Sequence, residues 1–223
     1  MKRRIIAGVL VLVVVLVPVV FVLTQALQTL DTLAIVERER DTWQRPDDIL
    51  AQLQVGPGAT VVDFGSGAGY FALKIARRVA PIGKVWAVDL RRQSLAFLWY
   101  RAWREGHPNL QVIRGEVNNP KLPAGPVDAV LIANTYHELT EPGPILDALF
   151  RAMRPGARLV VVDRGPRVGG EPRAEGVEHH DITLATVTEE VARHGFEVST
   201  TDTRFIDRSG EEDIWWLIVF RKP

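Results

Sequence analysis

The sequence contains no cysteine. That excludes disulfides, cysteine-ligated metals and thiol nucleophiles, and leaves the redox compartment open. Net charge is missing too, because 27 basic side chains balance 27 acidic ones. Nucleic-acid backbones are held by clustered Lys and Arg, so this balance gives no electrostatic reason to expect such a partner. No internal repeat is present, and no low-complexity tract follows the N-terminus. The last absence is local: no charged residue occurs from Ile5 to Leu30.

That uncharged run follows Lys2, Arg3 and Arg4 and is most apolar from Ile5 to Leu23. A membrane-spanning helix needs about 20 such residues. Gly8 and Pro18 are tolerated inside one. A cleaved signal peptide is the rival, but Thr24-Gln25-Ala26 is a poor cleavage site and the run is long for a signal. With no polar face, the run does not suit a soluble buried helix. The expectation is an uncleaved anchor over residues 1–30, single-pass in the inner (cytoplasmic) membrane. Asp31 to Arg45 then reads as a charged helical connector. Pro46 suits the first turn of a short helix, Asp47–Leu53, before Gly56-Pro57-Gly58. Residues 31–58 thus form a connector with a covering helix, and residues 59–223 the main domain. With 47% hydrophobic residues over 223, the chain can bury one core.

The main domain is organised around Thr60-Val61-Val62-Asp63-Phe64-Gly65-Ser66-Gly67-Ala68-Gly69-Tyr70-Phe71. A β-branched run ends near an acid, three glycines alternate, and a helical pattern starts (Phe71, Ile75, Ala76, Val79). This is strand, tight turn, helix. Gly65, Gly67 and Gly69 let the backbone bend and approach a ligand closely. The following helix aims free N–H groups at the turn. A nucleotide-like cofactor fits. A dinucleotide fingerprint needs G-x-G-x-x-G, and here Tyr70 stands where its last glycine belongs.

The pattern Asp-x-Gly-x-Gly-x-Gly, Asp63 to Gly69, resembles the first motif of class I S-adenosylmethionine-dependent methyltransferases. The Glu-Arg…Trp-Gln-x-Pro stretch ending at Pro46 also resembles a bacterial, membrane-anchored subgroup of them. The resemblance runs from about Trp43 to Phe220. It implies an α/β fold: a Rossmann-like, seven-stranded, mostly parallel sheet with an antiparallel C-terminal hairpin and helices on both faces, here with an N-terminal transmembrane helix. It implies S-adenosylmethionine as cofactor. Asp63 and the turn residues Gly65, Ser66, Gly67 and Gly69 would hold its methionine end. Trp43, before the first strand, would line the pocket or pack against the sheet edge.

Further strands follow in order. Gly83–Asp89 is a buried strand ending in an acid. Asp89 lies about 20 residues past the glycine turn, where a carboxylate accepts ribose hydroxyls, although it could instead cap the helix Gln93–Arg104. Leu90 would pack beside the adenine. After the third strand, Leu110–Arg114, the resemblance places an acid near the adenine amino group. Glu116 stands there, with Val117 beside it, although family members more often have Asp.

The fourth strand, Val127–Ala133, is apolar enough to be central. In open α/β sheets ligands lie beyond the carboxyl ends of the strands, so Asn134 to Glu138 face the reacting end. Asn134 matches the family's fourth motif, and Tyr136 is a substrate-side candidate. His137 is the general-base candidate because its ordinary pKa is near neutrality, with a structural histidine as the equal alternative. Glu138 could orient it or cap the next helix. A helix Pro144–Met153, an Arg154-Pro155-Gly156 turn and a strand Ala157–Asp163 come next. Residues 164–180 are rich in Gly, Pro and charge and read as a lid or substrate loop. His179 and His180 there are substrate-side candidates. Adjacent histidines cannot readily share one ion, and no third ligand is apparent, so no metal is expected. A helix Thr188–His194 and strands Phe196–Thr201 and Ile214–Phe220, joined through Asp202–Asp213, close the fold.

The expected activity is methyl transfer to a small acceptor at the membrane, quinone- or lipid-like. Two alternatives stand: an NAD(P)-dependent oxidoreductase, and a membrane-tethered cofactor-binding protein without catalysis. The basic start favours a cytoplasmic N-terminus, which with one span puts the domain on the other side, away from where that cofactor is made. The side of the membrane and the oligomeric state stay open.

Overall fold

The structure, a computed structural model, describes residues 2–166, 181–208, 210 and 213–223, with backbone alone for residues 2–15 and 213. It falls into two compact units, Met1–Trp43 and Gln44–Pro223. The first is a single helix, α1 (Lys2–Trp43), with Pro18 inside it. The anticipated anchor and connector are therefore one continuous element. After Leu30 neither Gly nor Pro occurs before Pro46, so nothing breaks the helix until Trp43. From Leu16 to Trp43 this helix is long and apolar enough to cross a membrane.

The second unit runs α2 (Pro46–Gln52), β1 (Thr60–Phe64), α3 (Tyr70–Val79), β2 (Lys84–Asp89), α4 (Arg92–Arg104), β3 (Leu110–Arg114) and β4 (Val127–Ala133). A 3-10 turn at Tyr136–Glu138 leads to α5 (Pro142–Ala152), β5 (Met153–Arg164), α6 (Leu184–Arg193), β6 (Glu197–Arg208) and β7 (Asp213–Arg221). The strands form one sheet in the order β3-β2-β1-β4-β5-β7-β6. All the neighbouring pairs from β3 to β5 are parallel, while β7 lies antiparallel to both β5 and β6. The Rossmann-like α/β architecture with a reversed C-terminal hairpin is the one anticipated.

Helices cover both faces because the strands are apolar on both. Val62 and Phe64 of β1 join Ile145, Leu146 and Leu149 of α5 and Val187 and Val191 of α6 in one core. Val61, Val85, Leu131 and Val160 alternate to the other face and are equally buried. There Ile49 of α2, Ile75 of α3 and Leu98 of α4 are buried as well. Each such aliphatic side chain contributes about 1.5–3 kcal/mol through removal from water.

The C-terminal hairpin differs from expectation in extent. Strand β6 continues to Arg208, well past Thr201, and β7 begins at Asp213. Its register against β7 shifts between Val198 and Thr200 and again between Asp202 and Ile206. As an edge strand it is exposed until Phe205 and Ile206 turn inward, so no alternating apolar pattern marks it. Trp215 and Trp216 are both buried on β7, and Trp216 Nε1 donates to Ile182 O at 2.9 Å.

Between β1 and α3 the chain turns on Gly69, which has φ 100° and caps the helix. A Cβ there would lie 2.2 Å from Leu98 Cδ1. Gly69→Ala should therefore cost about 1–3 kcal/mol, combining left-handed strain with overpacking. A urea midpoint unchanged from wild type would show that α4 yields freely at this contact.

Candidate functional site

The order of the sheet reverses between β1 and β4, opening a crevice at the carboxyl ends of the strands. The glycine turn is tied into it by backbone. Gly65 N and Ser66 N both donate to Val88 O, at 2.8 and 3.0 Å, and Gly69 N donates to Ser66 O at 2.9 Å. Gly67 N donates to Asp89 Oδ2 at 2.8 Å. From α4, the buried Arg101 donates through Nη1 to Ala68 O at 2.7 Å. The turn is thus gripped by the tip of β2 on one side and by a guanidinium on the other.

The glycines serve different ends. At Gly65 (φ 77°) a Cβ would run into the Thr135 side chain at 2.2 Å, so β4 closes over it. At Gly67 (φ 53°) a Cβ would meet nothing within 4 Å. Open space beside a strained turn is what close approach of a ligand requires. Ser66 Oγ, next to it, is buried with no hydrogen-bond partner among the described residues. Tyr70, in place of a third dinucleotide glycine, is buried and begins α3.

Asp89 ends β2 and is 6% exposed. Besides Gly67 N, it accepts from Arg91 N through Oδ1 at 2.8 Å, with Arg91 Nε at 3.3 Å. These bonds organise the loop into α4; the helix itself has no side-chain cap. Oδ1 is filled by the two Arg91 donors, whereas Oδ2 keeps one further acceptor site. A shallow cleft of about 120 Å³ opens here, lined by Gly65, Asp89, Leu90, Arg91, Glu116 and Val117 among others. Leu90 and Val117 are 48% and 64% exposed, an apolar pair left uncovered at its wall. Glu116 is ion-paired with Lys121.

The end of β4 divides between cleft and core. Asn134 is exposed in a left-handed conformation (φ 53°), and its N–H donates to Val162 O at 2.8 Å. Asn tolerates that region better than most residues. Thr135, Glu138 and Leu139 line the cleft. Tyr136 is packed inside instead: it is fully buried and its hydroxyl meets Glu190 Oε2 at 3.0 Å. His137 is also inside, 2% exposed. Its backbone N–H donates to Asp163 Oδ2 at 3.1 Å and its ring Nδ1 meets Asp163 Oδ1 at 2.8 Å. The residue clamps the 3-10 turn onto β5 and does not line the cleft. Glu138 is the titratable group of that turn that does.

Sequence reasoning thus missed Arg91, Arg101 and Asp163. A cation among the buried positions Leu95, Leu98 and Ala102 of α4 was the available signal for Arg101. Asp63 is buried within β1, in register with Ala87 and Leu131. Trp43 is the last residue of α1, in the other unit. His179, His180 and nearly all of the anticipated loop lie outside the described residues. Among those described, no cluster of His, Cys, Asp or Glu could hold a metal.

Comparison with known proteins decides the lineage. Residues 61–156 match the family described as a methyltransferase domain, and a solved S-adenosylmethionine-dependent methyltransferase from Aquifex aeolicus is 26% identical, with a TM-score of 0.66 over 78% of this chain and 88% of that one. Residues 61–156 thus carry the pattern of a methyltransferase domain, and the fold around them is that of the class I S-adenosylmethionine-dependent methyltransferases. An arsenite methyltransferase of Halobacterium salinarum is 28% identical over 49% of this chain and 28% of its own length. A ubiquinone/menaquinone biosynthesis C-methyltransferase of Pasteurella multocida is 32% identical over 49% of this chain and 41% of its own. The chain spans less than half the length of these curated relatives. With this lineage the dinucleotide alternative is not favoured.

Burial opposes a charge on His137, but the hydrogen bond and the charge of Asp163, helped by Glu138, outweigh it and raise its pKa above 6.5. A raised pKa means the pair stabilises the fold fully below about 6.5 and loses that contribution as pH rises through the folded value. The urea-midpoint penalty of Asp163→Asn should therefore be larger at pH 6 than at pH 9. Equal penalties would mean that no charge resides on His137.

Proposed function

We propose that this protein transfers a methyl group from S-adenosylmethionine to a small, apolar acceptor, at a membrane to which α1 anchors it. The observation that carries the reading is the cleft at the β1–β2–β4 tips, lined by Gly65 and Asp89, beside a turn whose Gly67 leaves open space where a side chain would stand. In this proposal the turn from Gly65 to Gly69, with Ser66 Oγ and Asp63, holds the methionine end. Asp89 accepts a ribose hydroxyl through the remaining lone pair of Oδ2. Leu90 and Val117 sandwich the adenine, and Glu116 meets its amino group. When bound, the cofactor supplies a methyl group made electrophilic by a positively charged sulfur.

The chain's own residues then orient and exclude. Asn134 and Thr135 set the edge past which the acceptor approaches, and alignment supplies most of the rate. Leu139 and Val117 keep water from that edge. An acceptor that releases a proton on methylation gives it to Glu138, whereas His137 with Asp163 holds the turn that presents Glu138. Several curated relatives are named for methylating quinones, which supports an apolar ring as acceptor. The long apolar α1 supports a membrane-borne one.

Calorimetry of the full chain in detergent tests the reading. Wild type should bind S-adenosylmethionine and its demethylated product. Gly67→Leu should lose that binding while costing only about 1–2 kcal/mol of stability, the price of a left-handed non-glycine residue. Asp89→Ala should weaken it about tenfold or more, the worth of hydrogen bonds to a charged acceptor. Normal cofactor binding by Gly67→Leu would overturn the placement. Binding without any methylated product, across quinone and lipid acceptors, would mark a tethered cofactor-binding protein instead.

A further inference from the structure

The outward face of α4 has no part in the site or the core. Arg92, Ala96, Trp99 and Trp103 recur along it at helical spacing and are all exposed, Trp99 by 60% and Trp103 by 69%. Leu95, Leu98, Arg101 and Ala102 occupy the opposite, buried side. Tyr100, half-buried, lies beside Trp103 with ring centroids 6.0 Å apart, and the Arg104 guanidinium sits 5.7 Å from the Tyr100 ring centre. From Leu90 to Arg104 there is no acidic residue. With Arg101 turned inward, Arg92 and Arg104 leave this face purely cationic around its two indoles.

We propose that this face docks on the headgroup layer of an anionic membrane. Indole and phenol rings settle at that depth, with the ring body toward the acyl chains and the polar tip hydrated. Guanidinium groups pair with lipid phosphates at the same level. The charge complementarity is one-sided: a surface of only cations and indoles suits a sheet of anions. The inference rests on the membrane reading of α1, which would hold the domain near a bilayer at high effective concentration. It also gives the anchored state an orientation. Leu90 and Arg91, which lead into α4, line the cleft, so docking sets the cleft wall beside the lipid in which an apolar acceptor dissolves.

The absence of cysteine makes the test clean, because a single introduced thiol is the only label site. The full-length Ala96→Cys variant, carrying a polarity-sensitive fluorophore, is reconstituted into phosphatidylcholine vesicles with and without phosphatidylglycerol. Expected on the anionic vesicles is a blue-shifted emission quenched by doxyl-labelled lipid, with most of the quenching lost in a Trp99→Ala/Trp103→Ala background. A label on Arg151→Cys, exposed on α5 across the sheet, should keep its water-like emission. Water-like emission at position 96 on anionic vesicles overturns the proposal. A blue shift that grows with protein concentration and is untouched by doxyl lipid also overturns it, and assigns the face to a second copy of the chain. A third label at Val17→Cys reads the anchor separately. Quenching at 17 with none at 96 sinks the docking and leaves the anchor standing; the converse sinks the anchor alone.

Discussion

Two N–H groups converging on one carbonyl hold the site in shape. Gly65 and Ser66 both donate to Val88 O, and Gly67 donates to the Asp89 side chain one residue further on. The turn after β1 is thereby fastened to the end of β2, and both strand tips become one rigid edge. This fastening demands positive φ at Gly65, Gly67 and Gly69, which is affordable only without side chains. It also fixes Asp89 in a double role. The same carboxylate that organises two loops lines the cleft with one acceptor site to spare.

The rest of the architecture serves that edge. Strands buried on both faces need helices on both, and parallel strands supply them through their crossovers. The reversal of strand order between β1 and β4 leaves a crevice at the carboxyl ends of the strands, and the glycine turn sits at its rim. Thr135 fills the one space where Gly65 has no side chain, so the β4 end and the turn are complementary in volume. His137 and Asp163 fasten the next segment to β5 in the same manner, through a backbone bond and a ring bond to one carboxylate. Both walls of the crevice are therefore held by an aspartate that ends or nearly ends a strand.

Whole-chain averages conceal what is local here. A net charge of zero describes the 223 residues together, yet α4 carries three arginines and no acid, and residues 5–30 carry no charge at all. The composition excludes a generally basic protein and says nothing about a basic, aromatic face on one helix. That face emerges only when the helix is docked on the sheet and the residues left over are seen.

The glycine pattern, the acid at Asp89 and the apolar runs of β1, β2, β4 and β5 were readable because each is a local requirement. Period and flanking turn residues are written into neighbouring positions. The long apolar helix was readable for the same reason, since length and lack of charge are properties of one segment. The extent of β6 was not, because an edge strand interrupted by register shifts has no buried face to impose alternation. Tyr136 and His137 could not be assigned either. The five residues after β4, Asn134 to Glu138, all follow the strand tip, but a single 3-10 turn sends Tyr136 and His137 into the core and leaves Glu138 at the cleft. Which side chain faces the ligand depends on the partners waiting on β5 and α6, Asp163 and Glu190, which are distant in sequence. The sequence alone determined the layered fold and the glycine turn between β1 and α3. The tertiary structure decided which side chains reach it, since direction is set by packing between segments and not by order along the chain.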